Sequence, residues 1–396
     1  MRVLFVHNYY QQPGGEDQVF AAESSMLEEH ENQVFRYTVH NDRIKGMNTL
    51  TLAGNTLWNR AIAGELRQAI KKVQPDIVHF HNTFPLISPA AYYAARAEGV
   101  PVVQTLHNYR LFCPNALFFR DGHVCEECME KRVPWPGILH ACYRGSRAAT
   151  GVTAAMLSVH RVLRTYTRKI DAYIALTDFA RQKFIEGGIP AEKIAVKPNF
   201  VDPDAGVGEG RGGYTLFVGR LSQEKGIGTL LSAWEKMEGR IPLKIVGDGP
   251  LAPKVAQASR CIPGIEWLGH KPRQSVRDLM KDATVLIFPS VCYENLSITI
   301  LEAYSVGLPV ISSNLGSMSL VIAHGCTGLH FTPGDPDDLA AQVSWIFGHT
   351  EERERMRMEA RKEYEEKYTA GRNYEMLVKI YEKAISQHTP VSNGGM

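Results

Sequence analysis

An α/β protein with parallel sheets, arranged as two domains, is what the sequence predicts, and three observations carry that expectation. Short apolar, β-branched runs alternate with longer segments of helical period. The chain is 396 residues long with 44% apolar and 22% charged positions, the composition of a globular protein that exceeds the ~250–300 residues at which one hydrophobic core stops growing. A glycine-rich break at Asn199–Gly213 separates two such strand–helix series.

The strands are expected at Val3–Val6, Ile77–Phe80, Val102–Leu106 and Ala172–Leu176, then at Leu216–Val218, Leu243–Val246, Val285–Phe288 and Val310–Ser312. Each is a near-continuous apolar run, as buried parallel strands are, because helices cover both faces of the sheet. Between them, Asp178 is placed to cap a helix over Phe179–Ile185 that Gly187-Gly188 stops, and Pro336-Asp337-Asp338 opens a helix reaching Ile346. Glu351–Ser386 reads as helical, and Gln387–Met396 as a loose tail.

Lys plus Arg (44) against Asp plus Glu (42) leaves a charge of +2, so no global field points to nucleic acid as a partner. The opening run Val3–Val6 is too short for a signal-peptide core, and the apolar stretch near Ala148–Leu163 is interrupted by Thr150, Thr153, Ser158, His160 and Arg161. A cytoplasmic location is therefore expected, and seven cysteines there read as thiols or metal ligands rather than disulfides.

The residue pattern with the most chemistry lies in the second half. The strand Val285–Phe288 ends at Pro289-Ser290, Glu294 follows on a loop, Ser297 is placed to cap the next helix, and Glu302 sits in that helix's second turn. The amides from Asn295 through Leu296 and Ser297 to Thr299 offer an anion site. The strand ending at Val218 runs into Gly219-Arg220, with Lys225-Gly226 opening the next helix. A planar guanidinium beside a compact ammonium is the pairing that a diphosphate needs. Taken singly, each is an ordinary surface residue; together with the glycine turns at Gly247-Asp248-Gly249 and Gly269 they suggest a nucleoside-diphosphate pocket.

At this point the residues resemble a family. Gly219-Arg220 with Lys225-Gly226, Val246-Gly247-Asp248-Gly249-Pro250, and Glu294 followed by Glu302-Ala303 are similar to the family 4 retaining glycosyltransferases of the GT-B fold, as are Pro13-Gly14-Gly15-Glu16 after the first strand and Thr105-Leu106-His107 after a later one. The resemblance runs from about Arg2 to Tyr381, with the motifs in the family's order. It implies two Rossmann-like domains facing each other across a cleft. Residues 1–200 form the acceptor-side domain with a cysteine-containing insertion at about 108–146, residues 213–368 the donor domain, and residues 369–387 a helix crossing back to the first. It also implies that Arg220 and Lys225 hold the donor diphosphate, Glu302 the ribose and Glu294 a hydroxyl of the transferred sugar, with amides at Leu296 and Ser297 on the distal phosphate, Gly14 and Gly15 close to the sugar phosphate, and His107 beside the sugar. Many members have glycine and an aromatic residue after the first glutamate, where this chain has Asn295-Leu296-Ser297. Catalysis through these cations requires no metal.

Cys113, Cys125, Cys128 and Cys142 form a candidate structural zinc site around one CxxC pair, with an iron–sulfur cluster or independent thiols as alternatives. Residues 131–170 carry eight basic side chains (Lys131, Arg132, Arg144, Arg147, Arg161, Arg164, Arg168, Lys169) and no Asp or Glu. Arg161, Arg164 and Arg168 share a face if the segment is helical, so contact with an anionic membrane surface, at its inner face, or with an acceptor diphosphate is expected; solvated surface is the alternative. The resulting reading is a retaining glycosyltransferase that moves a sugar from a nucleoside-diphosphate donor to a hydroxyl of a glycan or lipid-linked glycan in bacterial surface polysaccharide synthesis. A nucleotide-sugar epimerase on the same fold, and a non-catalytic nucleotide-sugar binding subunit, are its rivals.

Overall fold

The computed structural model describes residues 1–12 and 14–388; Pro13 and most of the expected tail fall outside the described residues. Two compact units are formed. The first comprises residues 1–118, 126–198 and the stretch from Asn373 onward; the second comprises residues 119–125 and 199–372.

The first unit holds β1 (Arg2–Tyr9), β2 (Gln33–His40), β3 (Ile77–Asn82) and β4 (Val102–Thr105). Its remaining strands are β7 (Ala172–Ala175) and β8 (Ile194–Val196), and the six run in the order β2-β1-β3-β4-β7-β8. All its pairs are parallel. A hairpin of β5 (Phe119–Arg120) and β6 (His123–Val124) belongs to the second unit. There the parallel sheet is β11-β10-β9-β12-β13-β14, built from β9 (Thr215–Val218), β10 (Leu243–Val246), β11 (Ile265–Gly269), β12 (Val285–Phe288), β13 (Val310–Ser313) and β14 (Gly328–Phe331). In each sheet the winding reverses beside the first strand, between β1 and β3 and between β9 and β12. Open α/β sheets bind ligands outside the strand carboxyl ends at such points.

The first unit's helices are α1 (Gly15–Glu29), α2 (Thr49–Trp58), α3 (Arg60–Val73), α4 (Ala90–Ala97), α5 (Trp135–Leu139), α6 (Arg147–Val162), α7 (Thr165–Arg168) and α8 (Asp178–Glu186). Those of the second are α9 (Ile227–Met237), α10 (Ala252–Cys261), α11 (Arg273–Asp282), α12 (Ile298–Ser305), α13 (Met318–Val321), α14 (Pro336–Gly348) and α15 (Thr350–Lys367), and α16 (Ala370–Gln387) closes the chain. None of the described helices is long and apolar enough to cross a membrane. The second core centres on fully buried Trp234, packed with Leu230, Ile245 and Ile287, its indole N–H donating to the Ile241 carbonyl at 2.8 Å.

Two local expectations are corrected. Helix α8 is capped by the Thr177 hydroxyl, which accepts from the Ala180 amide at 3.1 Å, because Asp178 is already helical. The glycine run is no loose linker. Gly208, Gly210 and Gly212 donate their amides to the carbonyls of Val306, Lys281 and Asp282, and a Cβ on Gly208 would lie 2.2 Å from the Lys281 carbonyl oxygen. Glycine there permits close backbone packing, and the chain passes between units where that stretch begins, at Pro198–Asn199.

A buried ion pair ties helix α16 into the first unit. The Lys197 ammonium, fully enclosed after β8, donates to Glu23 Oε1 at 2.6 Å and to Asn373 Oδ1 at 2.9 Å, and the Asn373 amide returns a bond to the Pro198 carbonyl at 2.6 Å. Removing one member strands a charge out of water. Lys197→Met is therefore expected to destabilise the fold by about 3–5 kcal/mol, read from guanidinium denaturation; an unchanged transition would show that the pair is not holding the unit together.

Candidate functional site

In the second unit the adjacent strands β9 and β12 end side by side, since Thr215 pairs Val285 and Leu216 pairs Leu286. Their loops therefore meet. The Val291 amide donates to the Glu224 carbonyl at 2.9 Å. Gly226, at φ 71°, lets the turn into α9 sit against Pro289, whose carbonyl oxygen would be 1.8 Å from an added Cβ. Lys225 and Glu294 are brought together by this contact. The Lys225 ammonium donates to Glu294 Oε1 at 2.6 Å, and the Ser290 hydroxyl donates to the same oxygen at 2.7 Å. Burial works against charge on Lys225, and the Glu294 carboxylate outweighs it, so its pKa is raised.

Arg220 is exposed at the carboxyl end of β9. Gly247, at φ 142°, follows β10 and lies so close that an added Cβ would be 1.9 Å from the Gly219 carbonyl oxygen. Ser297 is the N-cap of α12 by position, yet its side chain makes no capping bond, and Leu296 is anchored through its carbonyl to the Asn199 amide at 3.1 Å. The first-turn amides of α12 thus remain available. Glu302, 8% exposed, accepts from Arg273 Nε at 2.9 Å. Neither Arg273 nor Ser290 is marked as functional by the sequence pattern. Ser290 stood in the quoted loop, but Arg273 is 29 residues from its partner, and nothing in its local pattern marks it.

The first unit carries a separate group of polar residues. Asp17 accepts from the Gly14 amide at 2.8 Å and so fixes the start of α1. A Cβ on Gly14 would meet nothing within 4 Å, so the fold itself does not demand glycine there. Gly15 is exposed as the first residue of the helix. Glu16, part of the Pro13-Gly14-Gly15-Glu16 motif, is bonded by Tyr10 and Asn108 and lies near Arg110. Burial and the neighbouring Asp17 push its carboxyl up to about 8. His107 follows β4 and meets His81, Nε2 to Nδ1, at 3.0 Å. Burial, with His7 and Lys197 nearby, lowers His107 to about 3, so its imidazole is neutral. His81, Asn82, His107, Asn108 and Arg110 line a cavity of about 50 Å³, where the Arg110 guanidinium lies 4.0 Å from the centre of the Phe84 ring.

The four cysteines of the candidate metal site all lie in the first unit or the short stretch before residue 126, and none is disulfide-bonded. Cys113 and Cys128 are buried, while Cys125 and Cys142 are half-buried. Among the described residues, the grouping of three or more possible ligands is Glu23, His79 and His81, with no thiol in it. Burial pushes the Cys113 thiol up, and the Cys128 thiol faces the Pro134 carbonyl at 3.9 Å. The arginine face is broken. Helix α6 ends at Val162, and Arg164 takes a left-handed conformation, φ 53°. Arg161 turns inward, donating to the Leu111 carbonyl at 2.9 Å and to that of Lys131. Arg132, Arg144, Arg147, Arg164 and Arg168 remain exposed, as do Trp135, Leu139, Val162 and Leu163.

Residues 3–205 match the model of Glycosyltransferase Family 4, and residues 212–349 that of Glycosyl transferases group 1. The chain belongs to glycosyltransferase family 4. It is 33% identical over 192 residues to the phosphatidyl-myo-inositol mannosyltransferase of Mycobacterium tuberculosis, covering 46% of this chain and 50% of that one. It is 31% identical over 175 residues to a glycosyltransferase of Methanocaldococcus jannaschii, covering 43% and 45%. The matched stretch thus spans about half the length of these curated relatives. The crystal structure of HepE from Anabaena in complex with UDP and glucose is similar in fold, with a TM-score of 0.69 at 16% identity over 96% of this chain and 99% of that one. The fold is GT-B.

The raised Glu16 carboxyl yields a pH prediction. Between its ordinary 4.5 and about 8 the folded chain holds a proton that the unfolded chain has released. Stability therefore falls as pH rises through that window and levels off above it. In Glu16→Gln this contribution is absent, so denaturation across the window should show a smaller loss than in the unmutated protein; identical slopes would remove Glu16 as the proton holder.

Proposed function

We propose that this protein is a retaining glycosyltransferase that moves a sugar from a nucleoside-diphosphate donor to a hydroxyl of a glycan or lipid-linked glycan in bacterial surface polysaccharide synthesis. The observation that carries the reading is the meeting of Lys225, Glu294 and Ser290 beside the α12 amides, at the switch point of the second sheet. As the bond from anomeric carbon to phosphate breaks, negative charge grows on the leaving diphosphate, and Arg220, Lys225 and the amides of Leu296, Ser297 and neighbours are proposed to offset it. These fixed cations serve the role a divalent metal would otherwise fill, so catalysis is proposed to be metal-independent. A bound diphosphate shares the Lys225 ammonium with Glu294, whose carboxylate takes a hydroxyl of the transferred sugar. Glu302, held by Arg273, takes the ribose hydroxyls. In the first unit, Gly14 and Gly15 are proposed to admit a sugar phosphate close to the backbone, and neutral His107 to meet a sugar hydroxyl. UDP and glucose in the HepE structure support a nucleotide-sugar donor.

A thermal-shift panel with UDP, GDP and ADP, each with magnesium and with EDTA, tests the donor site. One nucleotide should raise the transition and keep doing so in EDTA, since a ligand at ~100 times its Kd adds about 2.7 kcal/mol; silence from all three would remove the pocket. Glu294→Ala should lower turnover by more than about tenfold, or about 1.4 kcal/mol of barrier, and leave the nucleotide shift in place. Undiminished turnover would reject its role.

The acceptor is proposed to be presented at the inner face of a membrane. Exposed Arg132, Arg144, Arg147, Arg164 and Arg168 stand among exposed Trp135, Leu139, Val162 and Leu163, the mixture that holds a surface to anionic headgroups. The relative whose name specifies phosphatidyl-myo-inositol supports a lipid-linked acceptor. Changing Arg144, Arg147, Arg164 and Arg168 together to Gln should abolish flotation with phosphatidylglycerol vesicles at low salt while sparing the nucleotide shift; unchanged flotation would sink the membrane contact.

A further inference from the structure

Behind His107 lies a buried chain of polar groups that the proposed reaction does not use. Glu23, His79, His81 and Lys197 are all within 2% of complete enclosure. The carboxylate and two imidazoles are spaced like metal ligands, yet the group is already occupied by its own cation, because the Lys197 ammonium lies 2.6 Å from Glu23 Oε1. Both ring nitrogens of His79 are also engaged, Nδ1 with the Tyr381 hydroxyl at 2.7 Å and Nε2 with the Thr105 hydroxyl at 2.8 Å. A second cation would face an ammonium across a medium of low dielectric.

What remains is a pair of buried atoms in close proximity. Glu23 Oε2 and His81 Nε2 have no hydrogen-bond partner, and they stand 3.5 Å apart, close enough for the charge on one to act on the other. A buried carboxylate oxygen can only accept, so the arrangement is stabilising when His81 carries its proton on Nε2 and repulsive when it presents a lone pair there. With Nε2 protonated and the ring neutral, His81 Nδ1 is bare. It then accepts at the 3.0 Å contact with His107 Nε2, which must be the protonated nitrogen of that ring.

The geometry points to a tautomer relay in which Lys197, Glu23 and His81 act as positioning residues that fix His107 with its proton on Nε2 and its Nδ1 as a bare acceptor. Burial keeps both rings neutral: His81 is held well below the ordinary histidine range, and His107 is near 3. The ligand chemistry follows. Such a nitrogen receives a hydrogen bond from a hydroxyl and offers no proton to a phosphate oxygen, so His107 selects a sugar hydroxyl over an anionic group. That last step rests on the glycosyltransferase reading; the tautomer does not.

Long-range 1H–15N correlation spectra of the full-length protein labelled with 15N-histidine, with His107 assigned by its loss in His107→Asn, decide the matter. Nε2 protonated and Nδ1 bare is expected, and His107 protonated on Nδ1 overturns the relay. Glu23→Gln gives a second, directional test. Lys197 requires the amide oxygen of the new side chain, so the amide NH2 faces His81 Nε2 and makes it an acceptor; His81 Nδ1 then donates, and His107 must shift its proton to Nδ1. A folded variant in which His107 keeps its tautomer refutes the proposal. If that variant does not fold, the unmutated spectrum decides alone. Loss of nucleotide binding would count against the donor-site reading and would leave the tautomer result standing.

Discussion

A parallel strand can be followed by another only through a crossover over a covered face of the sheet, and this constraint decides where every group discussed above can stand. It aligns all carboxyl ends along one edge of each sheet. Where the winding reverses, two neighbouring strands send their connections to opposite faces, and their first loops are left side by side. In the second unit those strands are β9 and β12, and the loops carry Arg220 and Lys225 on one and Ser290 and Glu294 on the other. In the first unit β1 and β3 play the same part, and the Asn82 amide accordingly reaches Glu16 at 3.4 Å.

The two units use charge differently. Around Lys225 the ion pair is partly open, with side chains 26% and 14% exposed, so solvent reaches the ammonium. Around Lys197 both partners are 0% exposed, so no ligand competes. That pair instead holds α16 and, through Glu23, the ring orientation of His81. An enclosed charge pair stabilises little by itself; its consequence is specificity, because each remaining lone pair and N–H must find a complementary partner.

The apolar runs in the sequence correspond to β1, β3, β4 and β7 and to β9, β10, β12 and β13. These are the four inner strands of each sheet, and the edge strands β2, β8, β11 and β14 were not legible. For β2 the reason is burial. An inner strand is enclosed on both faces and along both sides and so reads as unbroken apolar sequence, whereas β2 (QVFRYTVH) alternates toward solvent. The same logic explains the glycine run, whose flexible composition conceals backbone packed against Lys281 and Asp282.

By itself the sequence determined the fold class, the family, and which residues stand at strand ends, because these depend on local composition and on motifs within one loop. Tertiary structure alone decided the partners. Arg273 meets Glu302, Glu23 meets Lys197 across 174 positions, and His81 meets His107. Such pairings are set by sheet order and by which helix returns to which face. A side chain's neighbours in space follow from the winding of the chain, and the winding leaves no mark on the residues beside it.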